Sequence, residues 1–253
     1  MALIRLLSVR TLTVAALAST ALAACAYNET LGRNQLVIVD DSSLTQQADA
    51  AWAETLRTKQ QSRDAAQVAR VRRVGDRIVQ GAGLANRPWE YAVFVENSPN
   101  AFVLPSGKIG VTAGLLALVR NDDQLAAVLG HEVGHVVARH AAERYSNTAL
   151  ASVGLQAVQG VAGDYARAAG AIGGLGAQYG VLLPFSRRDE LEADRLGVDY
   201  MQRAGFKPAE SLALWRIMAQ QRQTSTPEFA STHPSDASRI AALEQYIAGK
   251  GWG

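Results

Sequence analysis

His131-Glu132-Val133-Gly134-His135 places two imidazoles and a carboxylate within five residues, and Glu190-Leu191-Glu192-Ala193-Asp194 follows downstream. On a helix, residues four apart share a face, so His131 and His135 can grip one metal ion while Glu132 stands beside it to handle a proton. Two imidazoles leave a tetrahedron unfinished. In hydrolytic zinc sites a third protein ligand, often a carboxylate, joins them and the fourth position stays open for water or substrate. Glu190 and Asp194 are also four apart, on one face of a second expected helix, with Glu192 on another face. Glu190 can ligate the ion, and Asp194 can accept a hydrogen bond from a ligand imidazole and fix its tautomer. Taken alone, Arg187 to Arg195 reads as a solvated helix laced with salt bridges; the motif upstream turns the reading toward a site.

The chain has four histidines, which narrows the alternatives. A metzincin would need Gly and His where Ala138 and Ala141 stand. Glu132 to His135 also spells the ExxH of di-iron bundles, but Val137 and Ala230 stand where a second copy would need glutamate. A two-His-one-carboxylate iron site has the ligand set His131, His135 and Glu190, and leaves Glu132 with nothing to do. On one unbroken helix His140 lies five residues past His135 and points off the metal face, which suits a structural or surface role. His233 sits in a Thr-His-Pro turn before the last expected helix, either as a loop histidine capping that helix or as a member of the site.

These residues need elements to hold them. Apolar residues recur at helical spacing from about Gln46 to Gly81, including Val68, Val71, Val74 and Ile78, which predicts one long amphipathic helix. Trp89 to Glu96, Phe102 to Leu104 and Lys108 to Thr112 read as strands around the turn Pro105-Ser106-Gly107, giving a small antiparallel sheet. Asn121-Asp122-Asp123 caps a helix expected to run through the metal motif to about Arg144. Further helices are expected at about 187–203, 208–223 and 235–248. Residues 148–183 are rich in alanine and glycine. Overlapping them, 168–185 approach the length of a membrane span, but their glycines favour a helical hairpin or mobile cover near the site. The predicted class is α+β, mainly α, with the HExxH helix packed against a small sheet and a second ligand-bearing helix.

At 253 residues and 48% hydrophobic, the chain can build one sizeable core. Its net charge of +2, from 25 basic and 23 acidic side chains, supplies no field to recruit nucleic acid, and no such partner is expected. Arg5 and Arg10 precede an uncharged run from Thr11 to Ala24, as in a signal peptide. Leu22-Ala23-Ala24-Cys25 resembles a lipobox, in which cleavage precedes Cys25 and that cysteine is acylated; the alternative is an ordinary secretory signal with a coincidental cysteine. Cys25 is the only cysteine, so no intramolecular disulfide can form. The expected organisation is a signal peptide at 1–24, an anchor or linker at 25–45 and one catalytic domain at 46–253. Because Ala26 follows the cysteine, the lipoprotein resemblance implies lipid anchoring at the periplasmic face of a bacterial outer membrane.

The motifs, in order, resemble the gluzincin metallopeptidase family of HtpX, the CAAX prenyl protease and BepA. They are Asn100-Ala101-Phe102 with Pro105 to Ile109, His131 to His135, Ser186-Arg187 through Glu190 with Ala193-Asp194, and Ser231-Thr232-His233-Pro234. By resemblance, Glu190 is the third zinc ligand, Asp194 the carboxylate behind a ligand imidazole, and Asn100-Ala101 part of an edge strand that pairs with substrate backbone. His233 becomes an oxyanion donor or a fourth zinc ligand that holds the enzyme latent, as its BepA counterpart suggests. Neither the spanning helices of the membrane branches nor a repeat domain is expected in this sequence, which looks like a minimal lipoprotein version. The resulting expectation is a zinc endopeptidase, one ion per chain, with Glu132 as general base and unfolded or misassembled envelope proteins as substrates. Two rivals are an envelope chaperone or assembly factor with latent or structural zinc, and a helical lipoprotein whose motif is accidental.

Overall fold

The computed structural model describes residues 25–159, 185–221, 229, 233 and 237–252, giving the backbone path alone at 25 and 151–159. The expected signal peptide and most of the glycine-rich stretch lie outside the described residues. The first described elements are a two-stranded antiparallel hairpin, β1 (Cys25–Asn28) and β2 (Arg33–Leu36), followed by helices α1 (Asp41–Thr58) and α2 (Ala65–Gly81). Strands β3 (Glu90–Phe94), β4 (Ala101–Leu104) and β5 (Lys108–Thr112) come next, then α3 (Ala113–Leu118), α4 (Asp122–Val137) and α5 (His140–Gln159). The last helices are α6 (Arg187–Arg203), α7 (Ala209–Gln221) and α8 (Ala237–Gly249). The class is mainly helical α+β, as expected, and no described helix is long and apolar enough to cross a membrane.

Two expected helices divide. The stretch read as one helix to Gly81 breaks after Thr58, because Asp64 restarts it by accepting from the backbone N–H groups of Ala66 and Gln67. Between them, Gln60 accepts from Val95 and Ser62 donates to Val93, so the break is stitched to the outer side of β3. The metal-motif helix stops at Val137 rather than near Arg144. There the Ala138 carbonyl accepts from the Gln35 side chain at 2.8 Å, and Arg139 takes a left-handed φ of 57° before α5 begins. The segment 25–45, expected as an anchor or linker, thus carries a hairpin that holds this corner and the start of α1.

The three-stranded sheet has the order β3-β5-β4. It is mixed: β5 runs antiparallel to β4 through the tight turn at Gly107 (φ 83°), and parallel to β3. The chain leaves β3, skips one strand position and comes back by the hairpin, which leaves β4 at the edge. Alternation along the strands then divides the sheet's faces. Ala92, Phe94, Phe102 and Leu104 meet Trp52 and Ala48 of α1, while Val93, Ile109 and Val111 face the main core under α2 and α4.

Helix α4 is buried along almost its whole length, from Gln124 to His135, so it forms the axis of the protein. Asn121 caps it by accepting from the Gln124 N–H, and Asp122 and Asp123 complement the positive end of its dipole. Helix α6 begins with a capping box between Ser186 and Asp189 and lies directly on α4. Glycines permit this approach: a Cβ at Gly197 would sit 2.8 Å from the His131 backbone nitrogen, and one at Gly134 would sit 2.9 Å from the Ala193 carbonyl. Replacing Gly197 by alanine should therefore spread the two helices. We expect a loss of about 1–3 kcal/mol in a thermal melt, together with weaker retention of metal against chelator. Unchanged melting and metal retention would show that the crossing tolerates a side chain.

Candidate active site

The sequence motifs converge where α4 crosses α6. His131 and His135 project from α4, Glu190 from the first turn of α6, and His233 from the segment before α8. Four donor atoms meet: Nε2 of His131 and of His135 lie 3.1 Å apart, and His233 Nδ1 lies 3.2 Å from His131 Nε2 and 3.0 Å from Glu190 Oε1. Glu190 closes the figure, with Oε1 3.4 Å from His135 Nε2 and Oε2 3.5 Å from His131 Nε2. Bonds of about 2.0–2.1 Å to a tetrahedral zinc ion require ligand atoms roughly 3.3–3.4 Å apart. These separations match that edge closely, and the three-nitrogen, one-oxygen set is one zinc accepts. Glu132 lies beside the cluster with Oε1 buried, making no hydrogen bond among the described residues and standing 3.3 Å from His233 Nε2.

Behind the donors stands a buried layer of charge. Asp194 Oδ1 is 3.0 Å from His131 Nδ1, so His131 carries its proton on Nδ1 and turns the Nε2 lone pair toward the centre. Sequence reasoning missed Arg239. From α8 its guanidinium donates to both Asp194 oxygens, at 2.5 and 2.8 Å, pairs with Glu190 Oε2 at 2.5 Å and lies 4.8 Å from the centre of the Trp215 ring. An arginine in the apolar stripe of Ile240, Leu243 and Ile247 was the available signal, since a buried charge demands partners. His140, read as structural or surface, is fully buried with Nδ1 2.9 Å from His135 Nδ1. The break at Arg139 rotates it back toward the centre.

The edge strand also differs from its expected form. Asn100 precedes β4, and its backbone N–H and carbonyl are both taken by Thr112 of β5. Alternation then turns the backbone groups of Ala101 and Val103 to the free edge. The Val103 N–H is directed at the Glu132 carboxylate. Aromatic rings line the other side: Phe185 stacks on His135 with centroids 3.9 Å apart, and Phe229 stacks on His233 at 4.4 Å. Ser231, Thr232 and Pro234 lie outside the described residues, as does nearly all of the expected cover.

Burial sets the proton affinities. It pushes Glu132 up to about 7, reinforced by Glu190 and opposed by His233. It presses His131 down and His135 well down, so both imidazoles are neutral and ready to ligate. Burial also works against the charge on Glu190, but Arg239, His233 and His131 together hold it well below the usual carboxylate range.

Neutral imidazoles, an ionised carboxylate and a base with a raised pKa define a zincin-like metal hydrolase. Comparison with known proteins places the chain more narrowly. Residues 65–247 match the model of peptidase family M48, and the chain belongs to that family, whose members use zinc. It is 39% identical over 179 residues to the mitochondrial metalloendopeptidase OMA1 of Schizosaccharomyces pombe, covering 70% of this chain and 52% of that one. It is 32% identical over 176 residues to the beta-barrel assembly-enhancing protease of Escherichia coli O157:H7, covering 66% and 36%. The Bos taurus OMA1 metalloendopeptidase is 30% identical over 235 residues, covering 85% and 45%. The chain thus spans about half the length of these relatives, or less. The family expected from the motifs is the family found.

Two outcomes follow for the metal-free protein. Glu132 has a folded pKa raised from 4.5 to about 7, so the stability its proton contributes is present below pH 4.5 and is lost as pH rises through about 7. That difference is worth at most roughly 3 kcal/mol. Glu132→Gln, which is always neutral, should melt above the chelated parent at pH 8 and close to it near pH 5. An equal gap at both pH values would contradict the burial of this carboxyl. Arg239→Met leaves Glu190 and Asp194 uncompensated and should cost about 3–5 kcal/mol in chelated protein, but less with zinc bound. Equal losses in both states would mean that the arginine and the ion do not share these carboxylates.

Proposed function

We propose that the protein is a zinc-dependent endopeptidase that hydrolyses peptide bonds of unfolded or misassembled envelope proteins. The observation carrying this reading is the buried Glu132 Oε1, without a hydrogen bond among the described residues, beside a four-donor cluster of zinc dimensions. His131, His135 and Glu190 hold the ion. Zinc, when bound, polarises the scissile carbonyl and acidifies the attacking water. Glu132 takes the proton from that water and passes it to the leaving amine. Asp194 and Arg239 keep His131 in the ligating tautomer. An extended substrate lies along β4, where Ala101 and the Val103 carbonyl offer backbone groups with no preference for side chains, as a protease of unfolded chains requires.

His233 has two candidate roles, and its position supports one of them. Its Nδ1 lies at tetrahedral-edge distance from two other donors, which suits a fourth ligand holding the site latent better than an oxyanion donor. Substrate then needs His233 to swing away. Such a latch also suits the chaperone reading, in which the chain binds unfolded proteins with its zinc closed off. The names of the relatives, a mitochondrial metalloendopeptidase and a beta-barrel assembly-enhancing protease, are in keeping with a membrane-associated quality-control protease. For this chain we favour lipid attachment at Cys25 and the periplasmic face of the outer membrane, on the lipobox-like Leu22 to Cys25.

Casein incubated with the purified protein tests the activity, with Glu132→Gln matched for bound zinc as the control. Fragments from the parent and a rate at least about 10³-fold lower in the variant are expected, since the base is lost and the metal is kept. Equal cleavage by the variant would remove Glu132 from the reaction. No cleavage by either, together with suppressed aggregation of an unfolded client, would favour the chaperone reading, and His233→Ala would then be expected to release activity.

A further inference from the structure

His140, which is fully buried, and Glu192 and Arg33, which are partly buried, form a chain that ends on the far nitrogen of His135. His140 Nδ1 lies 2.9 Å from His135 Nδ1, and His140 Nε2 lies 2.9 Å from Glu192 Oε2. Arg33, from β2 of the N-terminal hairpin, grips Glu192 with Nε at 2.6 Å and Nη2 at 2.8 Å, and also donates to both oxygens of Glu143. Two ring nitrogens at hydrogen-bond distance need one proton between them. Glu192 accepts only, so His140 carries its proton on Nε2 and its Nδ1 is the acceptor. His135 must then carry its proton on Nδ1, which leaves the Nε2 lone pair for the metal.

We propose that His140 is a positioning residue for the metal centre, fixing the tautomer and ring orientation of His135 through a relay that the N-terminal hairpin holds in place. The inference rests on the metal site proposed above. It gives His135 what Asp194 gives His131, namely an acceptor behind the ligating ring, here an imidazole backed by a carboxylate. The hairpin also gains a role at the site, since Gln35 donates to the Ala138 carbonyl and Arg33 fixes Glu192, so that β2 sets the corner that aims His140. His140, Asp189 and Glu192 lie close enough to be considered a second metal cluster. Their cation is already in place as Arg33, both nitrogens of His140 are engaged, and Asp189 caps α6.

Isosteric variants separate the two contacts of His140. The amide oxygen of Asn can occupy the place of Nδ1 and accept from His135, whereas that of Gln reaches only the place of Nε2. Zinc affinity is read by competition with a chromophoric chelator on the full chain in detergent, with circular dichroism and the melt of the chelated protein as checks of folding. We expect His140→Asn to stay within about threefold of the parent, and His140→Gln and His140→Ala to lose about 10–100-fold. Cobalt(II) spectra should shift in the Gln and Ala variants and be restored in Asn. Gln behaving as the parent and Asn as Ala would overturn the proposal, because the role would then be anchorage to Glu192. Unchanged affinity in all three would overturn it as well.

Should the His140 variants fail to fold, Glu192→Leu frees His140 to flip and is expected to weaken zinc about tenfold. Parental affinity in that variant would contradict the relay. Two zinc ions per parent chain, with the second lost in Glu192→Leu, would replace the relay with a metal site. The two readings fail separately. A parent that binds one zinc without cleaving casein removes the protease reading and leaves the affinity comparison intact. A parent that cleaves while its His140 variants bind zinc normally removes the relay alone.

Discussion

The close crossing of α4 and α6 is the constraint on which the site depends. Two donors stand on one helix and one on the other, and each imidazole needs support from a residue that is neither neighbour nor ligand. Only helices with almost no side chain between them bring Glu190 within 3.5 Å of both ring nitrogens. Glycine at 130, 134 and 197 provides this approach, and the surrounding layer of valine and leucine holds it shut.

Such a crossing buries an excess of negative charge, and the protein answers from two directions. On one side Arg239 enters from α8 and pairs with both Glu190 and Asp194; on the other Arg33 enters from the hairpin and pairs with both Glu192 and Glu143. Both arginines lie toward the ends of the described residues. The termini of the described chain thus clamp a centre built by its middle. Glu132 pairs with neither arginine, its Oε1 accepts no hydrogen bond among the described residues, and burial close to Glu190 raises its proton affinity.

Much of this was legible in the sequence because the chemistry is local. Histidines four apart on a helix, and carboxylates four apart on another, declare their faces without tertiary information. The strands at 90–94 and 108–112 and the helix at 187–203 also stand close to where their patterns put them. What escaped was set by contacts distant in sequence. No glycine or proline marks the break at Ala138 and Arg139; a side chain from β2 creates it, and the role of His140 changes with it. The break at 59–64 has a local signal in Asp64, which caps α2, but the helical period on either side masks it. The parallel pairing of β3 and β5 depends on the return of the chain through Gly107, which alternation within one strand does not encode. Arg239 could be suspected only as a charge within an apolar stripe.

X-ray absorption at the zinc edge, on protein purified without chelator, tests the centre most directly. One zinc per chain bound by nitrogen and oxygen alone at about 2.0–2.1 Å, with scattering from three imidazoles, is the result the four-donor geometry requires. A sulfur neighbour at about 2.3 Å, which only Cys25 or a methionine could provide, or no stoichiometric metal, would contradict it.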